Sequence, residues 1–175
     1  RIFNESKQQF LETRIETEVK TKFPGSKIVR NAYIPRPDGT TTEIDLIIID
    51  VLGIFIIESK NITGKIYGNW KSDQQLSVSH PGGETFKIQN PIHQNTTHFK
   101  VLKNYLGLQS TLFRSIIVFG DLSYIENIYD TPYHAEVCHL NNLVKSMEKI
   151  AKRYQTTLET HMIEDIYANL IDKVS

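Results

Sequence analysis

The sequence predicts an α/β fold in which a central mixed β-sheet is flanked by helices. Three observations lead there. Two adjacent runs, Glu43 to Asp50 and Gly53 to Ser59, are β-branched and apolar on both odd and even positions, the pattern of strands covered on both faces. Helical stripes lie on either side of them in the chain, with Leu11, Ile15 and Val19 before and Ile92, Phe99, Leu102 and Leu106 after. A third apolar strand, Ser115 to Gly120, follows that later helix, and a helical crossover sets it parallel to an earlier strand.

From the N-terminus, Phe3 to Phe23 reads as an amphipathic helix that Pro24-Gly25-Ser26 stops. Lys27 to Ile34 is a strand, closed by the turn residues Pro35 to Gly39, and the two central strands follow with a turn at Val51-Leu52. Gly64 to Trp70 is a further strand, and Gln75 to Ser79 with Glu84 to Gln89 forms an exposed hairpin about His80-Pro81-Gly82-Gly83. Asn90 caps a helix that Pro91 opens and Gly107 closes. A short strand near Ala135 to His139 then leads into helices over Asn142 to Tyr154 and Leu158 to Val174.

A length of 175 residues suits one domain, and 39% hydrophobic with 23% charged residues excludes a disordered chain. Twenty basic and twenty acidic residues cancel, which excludes a histone-like polycation. The balance is uneven along the chain: between Lys60 and Lys103 six lysines face Asp73 and Glu84, a local net charge of +4. Local charge is what holds a phosphate backbone, so nucleic acid stays open as a partner. The apolar runs at Ile44 to Ile49 and Ile54 to Ile57 fall far short of the ~20 residues of a membrane-spanning helix, so no membrane partner is expected. The lone Cys138 fits a reducing compartment, and the cytoplasm is the expected location. Arg1 at the start, without a secretory leader, leaves room for a longer parent chain with an additional domain or partner protein.

Pairing arithmetic singles out the candidate chemistry. A two-residue turn at Val51-Leu52 makes a hairpin that sets Asp45 against Glu58, two like charges that a cation between them would reconcile. Paired carboxylates suit Mg²⁺ or Mn²⁺. Lys60 lies two residues beyond Glu58 and so on the same face of its strand. A metal held by carboxylates beside an ammonium is equipment for phosphodiester hydrolysis. The ordinary alternative is a rim salt bridge of small energy. Against it, these charges interrupt two of the most apolar strands in the chain, where burying them is costly.

These residues resemble a known family. Thr42-Glu43-Ile44-Asp45, the run Gly53 to Asn61 with Glu58 and Lys60, Gly64-Lys65-Ile66, Trp70, and Asn90-Pro91-Ile92-His93-Gln94-Asn95 with His98 are similar to the nuclease-related domain, abbreviated NERD. That family belongs with the restriction-endonuclease-like PD-(D/E)xK nucleases. The resemblance, over about Glu12 to Gly120, implies a restriction-endonuclease-like core at residues 5–125, on which a C-terminal strand and helices at 126–175 pack. It implies that Asp45 and Glu58 bind Mg²⁺ or Mn²⁺ and that Lys60 positions or polarises the attacking water. A helix glutamate completes the family site; Glu12 matches best, with Leu11 where glycine is usual, and Glu5 and Glu16 are alternatives. Gln94 matches the family glutamine, expected at a scissile-strand phosphate or a water, and shares a helix face with His98. Lys65, Lys71 and His98 are candidates for DNA contact, and Tyr67 and Trp70 either stack on bases or, as sheet-edge aromatics more often do, pack against loops. Cys138, His139 and His134 lack the further ligands of a zinc site. The expectation is a metal-dependent nuclease acting on DNA. The alternative is a catalytically inactive DNA-binding module of the same fold.

Overall fold

The computed structural model describes residues 5–125, 128 and 131–174. At its centre β2 (Thr41–Asp50) turns through Val51 and Leu52 into β3 (Gly53–Lys60), with Asp50 paired to Gly53 and Leu46 to Ile57, the register expected from the sequence. Strand β1 (Lys27–Pro35) lies antiparallel to β2, β7 (Phe113–Phe119) parallel to β3, and β9 (Ala135–His139) parallel to β7. The result is a mixed sheet in the order β1-β2-β3-β7-β9.

Alternation along the central strands sorts their side chains into two apolar layers. Leu46, Ile48, Phe55 and Ile57 meet Leu11, Ile15 and Val19 of α1 (Glu5–Lys22) and Leu143, Met147 and Ile150 of α3 (Leu143–Ala151). Ile47, Ile49, Ile54 and Ile56 meet Phe99 and Leu102 of α2 (Pro91–Leu106) and Ile163, Ile166 and Leu170 of α4 (Thr160–Leu170). Each buried aliphatic side chain contributes roughly 1.5–3 kcal/mol, so helices on both faces clamp the hairpin whose end carries the charges. The N-terminal helix is seen from Glu5; Phe3 lies outside the described residues. Leu11 is 1% exposed, a core residue.

The layers slip at one place. Ile44 packs with Ile47 and Ile49, where strict alternation would put it with Leu46 and Ile48. Asn31, which the register sets opposite Asp45, has φ 54°, a left-handed conformation that asparagine tolerates better than most residues. The irregularity falls at Asp45.

Strands β4 (Gly64–Tyr67), β5 (Gln75–Ser79), β6 (Thr85–Gln89) and β8 (Ser123–Ile125) form a second sheet, ordered β6-β5-β4-β8. The sequence does not announce β8, which runs parallel to β4. The β3–β7 pair thus continues, through two short links, into the β4–β8 pair. Helix α2 starts where expected: Asn90 Oδ1 accepts from Ile92 N at 3.0 Å, its Nδ2 donates to the carbonyls of Trp70 and Asp73, and Gly107 closes the helix at φ 67°. Among the described residues no helix is long and apolar enough to cross a membrane.

Candidate active site

The open end of the central hairpin gathers charge. Glu58 is buried within β3, and Lys60 Nζ stands 3.2 Å from its Oε2, as a shared strand face requires. Asp45 Oδ2 accepts from the backbone N of Ser59 at 3.0 Å and from its hydroxyl at 3.2 Å. The regular β2–β3 ladder ends one pair earlier, at Leu46 and Ile57, so the expected face-to-face pair of Asp45 and Glu58 is opened by a side chain that binds the neighbouring backbone.

Helices on both faces reach this end. From α1 come Gln8 and Glu12, both buried; Gln8 Nε2 donates to the Ser59 carbonyl at 2.6 Å and lies 3.5 Å from Glu12 Oε2. Arg30 of β1 lies 3.5 Å from Glu12 Oε1 and 3.5 Å from Glu16 Oε1. From α2, His98 Nδ1 lies 3.5 Å from Glu58 Oε1 and 3.3 Å from Asn95 Oδ1. Asn95 is wholly buried and donates to the Ile56 carbonyl at 2.8 Å and to Ser115 Oγ at 2.7 Å.

Burial sets the electrostatics. It pushes the Glu58 carboxyl up to about 8, helped by the charges of Asp45 and Glu12 and opposed by Lys60. Burial and then Asp45 raise Glu12, against Arg30 and Gln8. Asp45 is raised by burial, against the Ser59 hydrogen bonds and Lys60. Burial, followed by the positive charges of Lys60 and Arg36, pushes His98 down to about 4, so its ring is neutral at pH 7.

The donor set fits a hard divalent cation. Glu12 and Glu58 each have Oε2 beside a protein donor, while each Oε1 is buried and faces a single nitrogen at 3.5 Å, of Arg30 and His98 respectively, without a hydrogen bond. Oxygen ligands that repel one another and are not fully hydrogen-bonded suit Mg²⁺ or Mn²⁺, which need only one or two carboxylates and complete their shell with water. Among the described residues no three His, Cys, Asp or Glu side chains already converge as a ligand cluster. Asp45 is turned to Ser59 and Glu58 to Lys60.

Residues 7–120 match the nuclease-related domain. The chain belongs to that family. It is also 30% identical, over 148 residues, to an uncharacterized protein of Bacillus anthracis, an alignment covering 83% of this chain and 68% of the relative. The match to the nuclease-related domain takes in every residue of the cluster from Gln8 to His98 and ends just after β7, so β9, α3 and α4 lie beyond it.

Within this nuclease-related domain the other candidates are spread out. Gln94 sits one turn before His98 on α2, its Oε1 buried without a partner. Glu16 is half-exposed at the Arg30 rim; Glu5 opens α1, and its side chain lies outside the described residues. Lys65, in β4, is exposed with Nζ 5.9 Å from the Tyr67 ring, and Lys71 is exposed in the turn beyond, where its carbonyl meets His93 Nε2 at 3.0 Å. Trp70 takes the packing role: at 1% exposed and edge-on to Phe119, it is a core residue with no face for a base. Sequence reasoning gave no role to Gln8, or to Ser59 and Asn95 within the runs it quoted. Helical spacing carried a signal for two of them, since Gln8 is four residues before Glu12 and Asn95 three before His98.

Proposed function

We propose that this nuclease-related domain is a divalent-metal-dependent deoxyribonuclease that hydrolyses DNA phosphodiester bonds. The observation that carries this reading is that buried Glu12 and Glu58 and part-buried Asp45 lie at one end of the sheet, with the Lys60 ammonium 3.2 Å from Glu58. A protein that only bound DNA would gain nothing from acidic groups there, because they repel phosphate and are costly to bury. Asp45 and Glu58 would hold Mg²⁺ or Mn²⁺, with Glu12 as the third carboxylate, and the ion would supply Lewis-acid charge at the scissile phosphate and a more acidic attacking water.

The chain's own groups divide the remaining work. Lys60 brings a positive charge to where negative charge builds on the phosphate oxygens. Gln94 offers its unpartnered Oε1 to a water proton and its amide nitrogen to a phosphate oxygen. His98, neutral and braced by Asn95, steadies Glu58 without adding charge. Lys65 and Lys71 provide backbone contacts further along the strand.

Purified protein incubated with linear, nicked and supercoiled DNA tests the reading. Cleavage in Mg²⁺ or Mn²⁺, abolished by EDTA and by Asp45→Asn in a folded variant, is the expected result. Binding without cleavage in either metal would leave the inactive DNA-binding module in its place.

A further inference from the structure

Gln8 lies beside Glu12 and reaches Asp45 through Ser59. It is 8% exposed, in the first turns of α1, and its two polar ends do different things. Its Oε1 accepts from the backbone N of Asn61 at 3.1 Å, which fastens the helix to the chain leaving β3. Its Nε2 donates to the Ser59 carbonyl and hydroxyl and reaches Glu12 Oε2 at 3.5 Å. A serine hydroxyl has one proton. With Gln8 N–H donating into the Ser59 oxygen, that proton is left for Asp45 Oδ2, 3.2 Å away.

We propose that Gln8 is a positioning residue for the ion-binding carboxylates, an assignment that rests on the metal-dependent reading above. Through Ser59 it fixes the rotamer of Asp45, and its amide stands 3.5 Å from Glu12 Oε2 while Arg30 faces Oε1. Partners of this kind, one bond removed from the ligands, typically change metal affinity by about 10–100-fold.

The test is Mn²⁺ affinity, by calorimetry and by electron paramagnetic resonance, well below each variant's melting temperature. Gln8→Leu is expected to bind about tenfold to a hundredfold more weakly than wild type. Asn61→Ala is the matched control: it removes the 2.7 Å bond from Asn61 Nδ2 to the Lys7 carbonyl, which ties the same helix to the same strand without touching a carboxylate. It should lower the melting temperature and leave Mn²⁺ affinity unchanged. Should Gln8→Leu fail to fold, Ser59→Ala removes only the hydroxyl relay and is expected to weaken binding several-fold. Wild-type affinity in Gln8→Leu, or in Ser59→Ala where that variant stands in for it, overturns the role of Gln8 while leaving the metal site standing. An equal loss in Asn61→Ala also overturns it, because helix docking alone would then explain the effect. A wild-type protein that binds no Mn²⁺ overturns both readings together.

Discussion

His98 Nδ1 lies 3.5 Å from Glu58 Oε1, and burial favours the neutral form of both groups at neutral pH. The imidazole, pushed down to about 4, is neutral; the carboxyl, pushed up to about 8, is mostly protonated. The contact at pH 7 is therefore between two neutral groups.

Binding of Mn²⁺ should release about one proton near pH 7, because a ligand carboxylate must ionise. Apparent affinity is expected to rise about tenfold per pH unit from pH 6 toward 8 and to flatten above it. Calorimetry in buffers of different ionisation enthalpy reads the proton directly. A pH-independent affinity would mean that Glu58 is already ionised.

The same shift predicts the pH dependence of the metal-free fold. Glu58 has a folded pKa above its unfolded value, so the folded state binds more protons between about 4.5 and about 8. Stability is fully present below that window and is lost as pH rises through it, by on the order of 5 kcal/mol. Glu58→Gln should therefore melt higher than wild type in EDTA at pH 8, and the difference should close near pH 4.5. Melting curves across that range decide the matter.

Asp45 and Lys60 should separate by kinetics. Lys60→Ala is expected to keep Mn²⁺ binding and lose roughly a hundredfold to a thousandfold in cleavage rate, as when a group stabilising transition-state charge is removed. Asp45→Asn should lose both. A Lys60→Ala protein that cuts at the wild-type rate would remove the ammonium from the mechanism.

Gly53 opens β3 at φ 136°, and a Cβ there would meet the Arg114 guanidinium at 3.0 Å and the Leu112 carbonyl at 3.1 Å. Arg114 cannot yield: it is 1% exposed, donates to the carbonyls of Thr111, Phe113 and Thr156, and stacks 4.0 Å from the Tyr154 ring centroid. Gly53→Ala should destabilise by about 2–3 kcal/mol. Urea unfolding measures it, and metal affinity in the folded variant should be unchanged, since the cluster is at the other end of β3.

How much of this was legible depended on whether the signal was local. The β2–β3 register follows from a two-residue turn and strand period, and the ends of α2 follow from Asn90, Pro91 and Gly107. Strand β8 has three residues, one of them the exposed Tyr124, and is defined by its partner β4 rather than by its own pattern. The slip at Asp45 depends on Asn31, fourteen positions earlier, adopting a backbone that only some asparagines adopt. Glu58 and Lys60 could be paired from spacing, but Gln8 and Ser59 meet across 51 positions, and no periodicity reports that.

The parallel pairing of β3 with β7 has a consequence for how the chain is made. Ile54 pairs with Phe113, so the strand bearing Glu58 and Lys60 remains a sheet edge until the crossover and β7 have been synthesised. Pairings this far apart form late, after a long loop has been closed. Translation halted just before Phe113 would leave a fragment with all the charged groups of the cluster and a long apolar strand open along one side. Such an edge is a template for strands from other chains, and aggregation is its expected fate.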